Sequence, residues 1–314
     1  MKNYLKNKKI LITGSSGLIG TELRKKLINF SKKIYSLDSK IDLRDKNLTN
    51  KTIEKIKPDI IFHLAAQVGG VWANTKYKYD FFYNNLLINT NVIDSAWRNK
   101  VEYFVGIGTG SAYPKKLENK ILNEIDFLSG EPDESNEGYA YAKRMSLIQL
   151  RILEKTRKLK YCFFLPANIY GPNDNFSINS SHVVPSLIRR FFEEKEKKKI
   201  LIWGNEKTKR DFLYVGDCVD AIIYACNKKL LGIANISSGK FETIKKLVTI
   251  IKNISGYEGK IFFENNDLVG QKIRKLSSKK LSNIGWKSKI SLLDGIKNTY
   301  QWFEKNQNNF RGKY

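Results

Sequence analysis

Short apolar runs alternate with amphipathic stretches through the first half of this chain. Residues 9–13, 34–37, 59–64, 103–107 and 161–165 are each rich in Ile, Leu, Val, Phe or Tyr. Runs of that length and composition predict strands buried on both faces. Leu23 and Leu27, four apart, mark the apolar face of a helix between the first two. Another helix ends near Pro58. Strands alternating with helices predict right-handed crossovers and a parallel sheet covered on both sides, a doubly wound α/β domain. After Pro166 the pattern loosens into a polar loop over 173–181, a helix over 184–194, a strand over 200–203 and a C-terminal helix over 292–306. The expected organisation is a nucleotide-binding domain over 1–168, to which roughly 215–240 returns, and a smaller α+β substrate lobe over 169–214 and 241–314. Lobes that interleave in this way share a cleft.

Composition narrows the class. Of 314 residues, 41% are hydrophobic and 12% aromatic, which suits a folded protein rather than a disordered one. No apolar run reaches membrane-spanning length, and the basic lead-in from Met1 to Lys9 lacks a signal-peptide pattern, so a cytoplasmic protein is expected. Cys162, Cys218 and Cys226 have neither zinc spacing nor a disulfide framework, and read as buried small hydrophobes. The formal charge is +25, from 56 Lys and Arg against 31 Asp and Glu. Such a balance can mark a nucleic-acid binder, but no basic motif is interleaved with aromatics, and the run Glu193 to Lys199 reads as a solvated helix end. The field would still speed capture of an anionic small molecule.

The first candidate chemistry is Thr13-Gly14-Ser15-Ser16-Gly17-Leu18-Ile19-Gly20, between the first strand and the first helix. Glycines there permit a tight turn and close approach of a pyrophosphate, which the helix N-terminus then holds. Gly14, Ser16, Gly17, Leu18, Ile19 and Gly20 are therefore candidate dinucleotide contacts. Asp38 ends the second strand, where a carboxylate accepts both ribose hydroxyls and favours NAD(H). Ser39 and Lys40 follow at once and could receive the 2′-phosphate of NADP(H) instead.

Tyr139 and Lys143 lie one helical turn apart and face the same way, with Thr109 upstream. A nearby ammonium favours the phenolate over the phenol. The loop and the Thr109–Tyr139–Lys143 set resemble those of short-chain dehydrogenase/reductases. Further segments resemble GDP-L-fucose synthases: His63-Leu64-Ala65-Ala66-Gln67-Val68-Gly69-Gly70-Val71, Pro166-Ala167-Asn168-Ile169-Tyr170-Gly171-Pro172-Asn173-Asp174-Asn175-Phe176, His182-Val183-Val184-Pro185-Ser186-Leu187-Ile188-Arg189-Arg190-Phe191 and Thr299-Tyr300-Gln301-Trp302-Phe303. This resemblance runs nearly the length of the chain. It implies an extended Rossmann fold, a GDP-sugar ligand, a slight preference for NADP(H), a homodimer and a place in surface-polysaccharide sugar-nucleotide synthesis.

The resemblance also implies roles. Asp42 and Leu43 would meet the adenine, Leu64, Ala65 and Ala66 would lie under the cofactor, and Lys143 would hold its ribose. Thr109 would hydrogen-bond the substrate carbonyl and Tyr139 would give it a proton. Asn168, His182, Arg190, Trp203, Arg210 and Lys275 would contact the nucleotide sugar. Fucose synthases also epimerise two carbons, a cysteine removing protons and a histidine returning them. His182 stands at the histidine position, but Ser111 stands where the cysteine would be. A thiol of pKa about 8.5 can be tuned to a thiolate, whereas serine needs a dedicated base.

The leading expectation is therefore an NAD(P)H-dependent C4-reductase of a GDP-4-keto sugar, a 6-deoxyhexose or a heptose, without 3,5-epimerase activity. The alternatives are a bifunctional fucose synthase and an NAD-retaining 4-epimerase or 4-dehydrogenase. A 4,6-dehydratase wants an acidic residue beside Thr109, where this chain has Gly110. The intact Tyr139–Lys143 pair argues against a noncatalytic sensor or a basic binding module. No metal site and no nucleic-acid or membrane partner is expected.

Overall fold

The computed structural model describes residues 4–117, 120–178, 180–264 and 274–312. Met1, Lys2 and Asn3 of the basic lead-in, and Asn179 of the polar loop, lie outside the described residues. Six strands form the central sheet: β1 (Ile10–Thr13), β2 (Ile34–Leu37), β3 (Ile60–His63), β4 (Tyr103–Ile107), β5 (Lys160–Pro166) and β6 (Gly232–Ile236). Their spatial order is β2-β1-β3-β4-β5-β6, and every pairing is parallel. The direction of winding reverses beside β1, and in open α/β sheets ligands bind at that point, outside the carboxyl ends of the strands.

Alternation along each strand separates two apolar layers. Ile10, Ile12, Ile60, Phe62, Val105 and Phe164 face one side, where they meet α1 (Leu18–Leu27) and α7 (Val215–Asn227). Leu11, Ile61, Phe104, Tyr161 and Phe163 face the other. That side is covered by α2 (Lys46–Ile56), α4 (Lys78–Arg98) and α5 (Glu137–Arg157). The sheet is thus the predicted doubly wound one. All three cysteines are buried, and burial pushes their thiols up, the Cys162 thiol to about 12. They are packing residues, as their apolar sequence settings indicated.

A third apolar cluster, including Phe176, Leu187, Phe191, Ile202, Leu247 and Phe303, draws on residues from both sides of α7 and β6. Its frame is two parallel strand pairs, Lys199–Trp203 with Lys260–Glu264 and Asn168–Tyr170 with Phe212–Tyr214, packed on α6 (Val183–Glu193) and the helices Ile244–Ser255 and Leu292–Lys305. The chain passes from β5 into Asn168–Tyr170 after one residue. Asn168 therefore lies where the two cores meet, directly above the end of the sheet.

Candidate active site

A cleft of about 1630 Å³ opens across the carboxyl ends of β1, β3 and β4 and runs onto the third cluster. Its first wall is the glycine loop. Gly14 sits at φ +68°, and a Cβ on it would lie 2.6 Å from the Ala65 nitrogen, so only glycine lets this turn press against the segment after β3. A Cβ on Gly20 would come 2.2 Å from the Gly14 carbonyl oxygen, which holds α1 against the loop. Gly17 caps α1 without a side-chain hydrogen bond, and no acidic residue occupies the first turn. The leading N–H groups of α1 are thereby left for an anion. Ser16, Leu18, Ile19, Leu64, Ala65 and Ala66 line the same stretch.

Asp38 lines the cleft at the end of β2, its carboxylate accepting from the Lys40 backbone N–H at 2.9 Å. Asp42 lies beyond it, gripped by Arg44 through Nε at 3.0 Å and Nη2 at 2.8 Å. The guanidinium holds the Asp42 carboxyl below its ordinary value. Leu43 is buried beside it. Ser39 and Arg44 belong to this wall as well.

The second wall carries the polar groups suited to carbonyl chemistry. Thr109 follows β4 and caps the short turn Gly110–Ala112, accepting the Ser111 N–H at 3.1 Å. The hydroxyls of Thr109 and Ser111 are 2.8 Å apart, and Asn136 donates its side-chain N–H to Ser111 at 2.7 Å. Asn136 lies just before α5, and Tyr139 and Lys143 occupy the first turns of that helix. The Lys143 ammonium is 5.7 Å from the centre of the Tyr139 ring. Lys143 is 2% exposed, and burial pushes its ammonium down to about 8. Burial also raises the Tyr139 phenol above its ordinary value, so the phenol is neutral.

His63 lies under this wall rather than on it. Its Nδ1 is 2.8 Å from the Thr13 hydroxyl and its Nε2 is 3.0 Å from the Asn89 side-chain oxygen. An amide oxygen accepts only, so Nε2 carries the ring proton. The Thr13 hydroxyl donates to Nδ1 and accepts from the backbone N–H groups of Leu64 and Ala65, at 3.2 and 3.3 Å. This network ties β1 to β3 and α4. Burial and the Lys143 charge push the imidazole down to about 3.

His182 caps α6 at the cleft mouth, where it is exposed to solvent. Desolvation and the Arg311 charge lower it below its ordinary value. Asn168, Arg190, Trp203 and Arg210 line the same cleft. Lys275 does not join them. Its ammonium lies 5.7 Å over the Phe241 ring, and it forms a two-residue strand with Leu276, whose side chain enters the core. Arg274, one residue earlier, is the one on the cleft wall.

Sequence reasoning passed over several lining residues. Asn136 sits three before Tyr139, but an asparagine at a helix entry reads as an ordinary cap. Asp174 lies inside a recognised segment; it is 4% exposed, and burial pushes its carboxyl up to about 7. One of its oxygens, the Asn74 side-chain oxygen and the Ser181 hydroxyl are buried on this wall without hydrogen-bond partners among the described residues. Arg311 comes from the C-terminal tail, and its Nη1 lies 3.8 Å from where a Cβ on Gly17 would stand. Nothing in the local sequence announces that approach, because the tail is placed by Phe310 packing in the third cluster.

Comparison with known proteins identifies the family. Residues 10–236 match the NAD dependent epimerase/dehydratase family. This chain belongs to that family. Within it, the chain is 30% identical to GDP-L-fucose synthase of Escherichia coli K12, over 98% of this chain and all of that one. Among solved structures it is similar to the GDP-6-OMe-4-keto-L-xylo-heptose reductase of Campylobacter jejuni, with a TM-score of 0.90, 27% identity and coverage of 96% of this chain and 99% of that one. It is also similar to the GDP-mannoheptose C4 reductase MlghC of Campylobacter jejuni with NADP bound, with a TM-score of 0.86, 29% identity and coverage of 95% and 98%. The likeness to these structures extends over the third cluster as well as the sheet. Among the described residues no helix is long and apolar enough to cross a membrane, and no group of metal-binding side chains assembles.

The two histidines give a pH signature. Both have folded-state values below the unfolded 6.5, so their contribution to stability is present above pH 6.5 and is lost as pH falls. For His63 the loss runs from 6.5 down to about 3, at about 1.4 kcal/mol per pH unit. NMR of the imidazole carbons should show His63 neutral at pH 5, and denaturant unfolding should weaken over that window. A ring titrating near 6.5 would contradict the buried network.

Proposed function

We propose that this protein is an NADPH-dependent reductase that converts the C4 ketone of a GDP-linked keto sugar to an alcohol and leaves the neighbouring carbons unepimerised. The observation that carries the second half is the surroundings of Ser111. Its hydroxyl meets the Thr109 hydroxyl and the Asn136 amide, and among the described residues no carboxylate, imidazole or amine hydrogen-bonds to it. Without a base beside it, a serine hydroxyl keeps its proton near neutral pH.

The cleft suits the cofactor. The uncapped start of α1 would hold the pyrophosphate, with Arg311 above Gly17 as a guanidinium partner. Asp38 would meet the adenosine ribose, and Ser39 and Arg44 would receive the 2′-phosphate. The cofactor supplies the hydride. Tyr139 donates its phenolic proton to the C4 oxygen, and Thr109 donates a hydrogen bond to the same oxygen. The buried Lys143 ammonium lowers the cost of the phenolate left behind. Asn168, Arg190, Trp203 and Arg210 would hold the GDP portion, and His182 would contact a sugar hydroxyl. The sugar is a 6-deoxyhexose or a heptose; names among the similar proteins include both fucose synthases and heptose reductases. A soluble homodimer serving surface-polysaccharide synthesis completes the reading.

Incubation with a panel of GDP-4-keto-6-deoxyhexoses and GDP-4-keto-heptoses should consume NADPH and yield the C4 alcohol of at least one. Tyr139→Phe should lower kcat by about 10²–10⁴-fold with little change in NADPH affinity. No turnover of any member would overturn the reading. Fluorescence titration should show Arg311→Ala binding NADPH about tenfold more weakly while GDP binding is unchanged, the loss expected for a charge-assisted hydrogen bond. Equal NADPH affinity would remove Arg311 from the cofactor site.

A further inference from the structure

A serine that cannot act as a base still occupies the centre of this site. We infer that Ser111 is a positioning residue that turns Thr109 into an obligate hydrogen-bond donor toward the substrate ketone. The inference rests on the reductase reading and adds a role that reading leaves open.

Lone pairs decide which way the hydrogen bonds run. A hydroxyl has one hydrogen to give and two lone pairs to fill. The Thr109 oxygen already accepts the Ser111 backbone N–H at 3.1 Å. The Ser111 oxygen already accepts the Asn136 side-chain N–H at 2.7 Å. One contact of 2.8 Å between the two hydroxyls is left to assign, and it can run either way. If Thr109 donates to Ser111, its hydrogen is spent and it shows the cleft a lone pair. If Ser111 donates to Thr109, both Thr109 lone pairs are filled and its hydrogen must turn outward. A ketone oxygen accepts and cannot donate. Its arrival beside Thr109 therefore selects the second arrangement.

The result is a one-way chain, from Asn136 N–H to Ser111 O–H to Thr109 O–H to the ketone. Each link polarises the next, and the chain ends where negative charge develops during hydride addition. Asn136 belongs to the turn that opens α5, so the segment that places Tyr139 also fixes the start of the chain. A cysteine at 111 would break it, because a thiol is a weak donor.

The test uses whichever GDP-4-keto sugar of the panel the wild-type enzyme reduces fastest, with NADPH. Ser111→Ala should lower kcat about tenfold while the sugar KM and NADPH affinity stay within about twofold, because the lost contact matters in the transition state. Ser111→Thr, which keeps the hydroxyl, should recover most of that loss, and Ser111→Cys should not. Asn136→Ala should lower kcat in the same sense. In a Thr109→Val background, Ser111→Ala should have little further effect, since its target is gone. Wild-type kcat in Ser111→Ala, or losses that multiply in the double variant, would overturn the inference while leaving the reductase reading in place. Failure of wild-type enzyme to reduce any panel member would sink both.

Discussion

In the proposed reading, the 2.8 Å contact between the Thr109 and Ser111 hydroxyls decides what proton chemistry this cleft can perform. Both residues sit in the turn after β4, and the turn is held by Thr109 accepting the Ser111 N–H. With Asn136 donating from the α5 side, the Ser111 hydroxyl is enclosed by neutral hydrogen-bonding groups. None of these groups is a general base that could take the Ser111 proton. In the proposed reading, reduction needs a hydrogen-bond donor and one acid at the ketone, which Thr109 and Tyr139 would supply. Epimerisation would need a base aimed at carbon, and the Ser111 hydroxyl hydrogen-bonds to neutral groups instead.

The proposed acid is set by burial. Tyr139 and Lys143 lie on one face of α5, and desolvation acts on them in opposite directions, keeping the phenol protonated while making the ammonium easier to discharge. His63 answers to the same ammonium from beneath. It stays neutral first because burial disfavours the charged ring and then because the Lys143 ammonium repels it, and its two hydrogen bonds tie β1, β3 and α4 into the floor of the site.

The sheet was legible because each strand is a short apolar run between polar turns. Residues 103–107 and 34–37 match their strands to the residue, and 9–13 and 161–165 differ by one or two at the ends. The glycine loop and the Tyr139–Lys143 pair were legible because their spacing is local. What stayed hidden depends on long-range closure. Arg311 meets the glycine loop only after the C-terminal tail folds back on Phe176, whose backbone N–H donates to the Arg311 carbonyl at 2.9 Å. Resemblance assigns Lys275 to the cleft, yet Arg274, just ahead of the two-residue strand that holds Lys275, lines it instead. Ser111 was visible as a substitution, but its contact with Asn136 spans 25 positions and required the fold.

Solvent exchange during turnover tests the central claim most directly. A GDP-4-keto sugar reduced by NADPH in deuterated water with the purified enzyme should yield a product whose C3 and C5 hydrogens remain protium, above any exchange seen without enzyme. Deuterium entering either carbon in step with reduction would show that a base does reach the sugar ring from this site, and the account of Ser111 would be wrong.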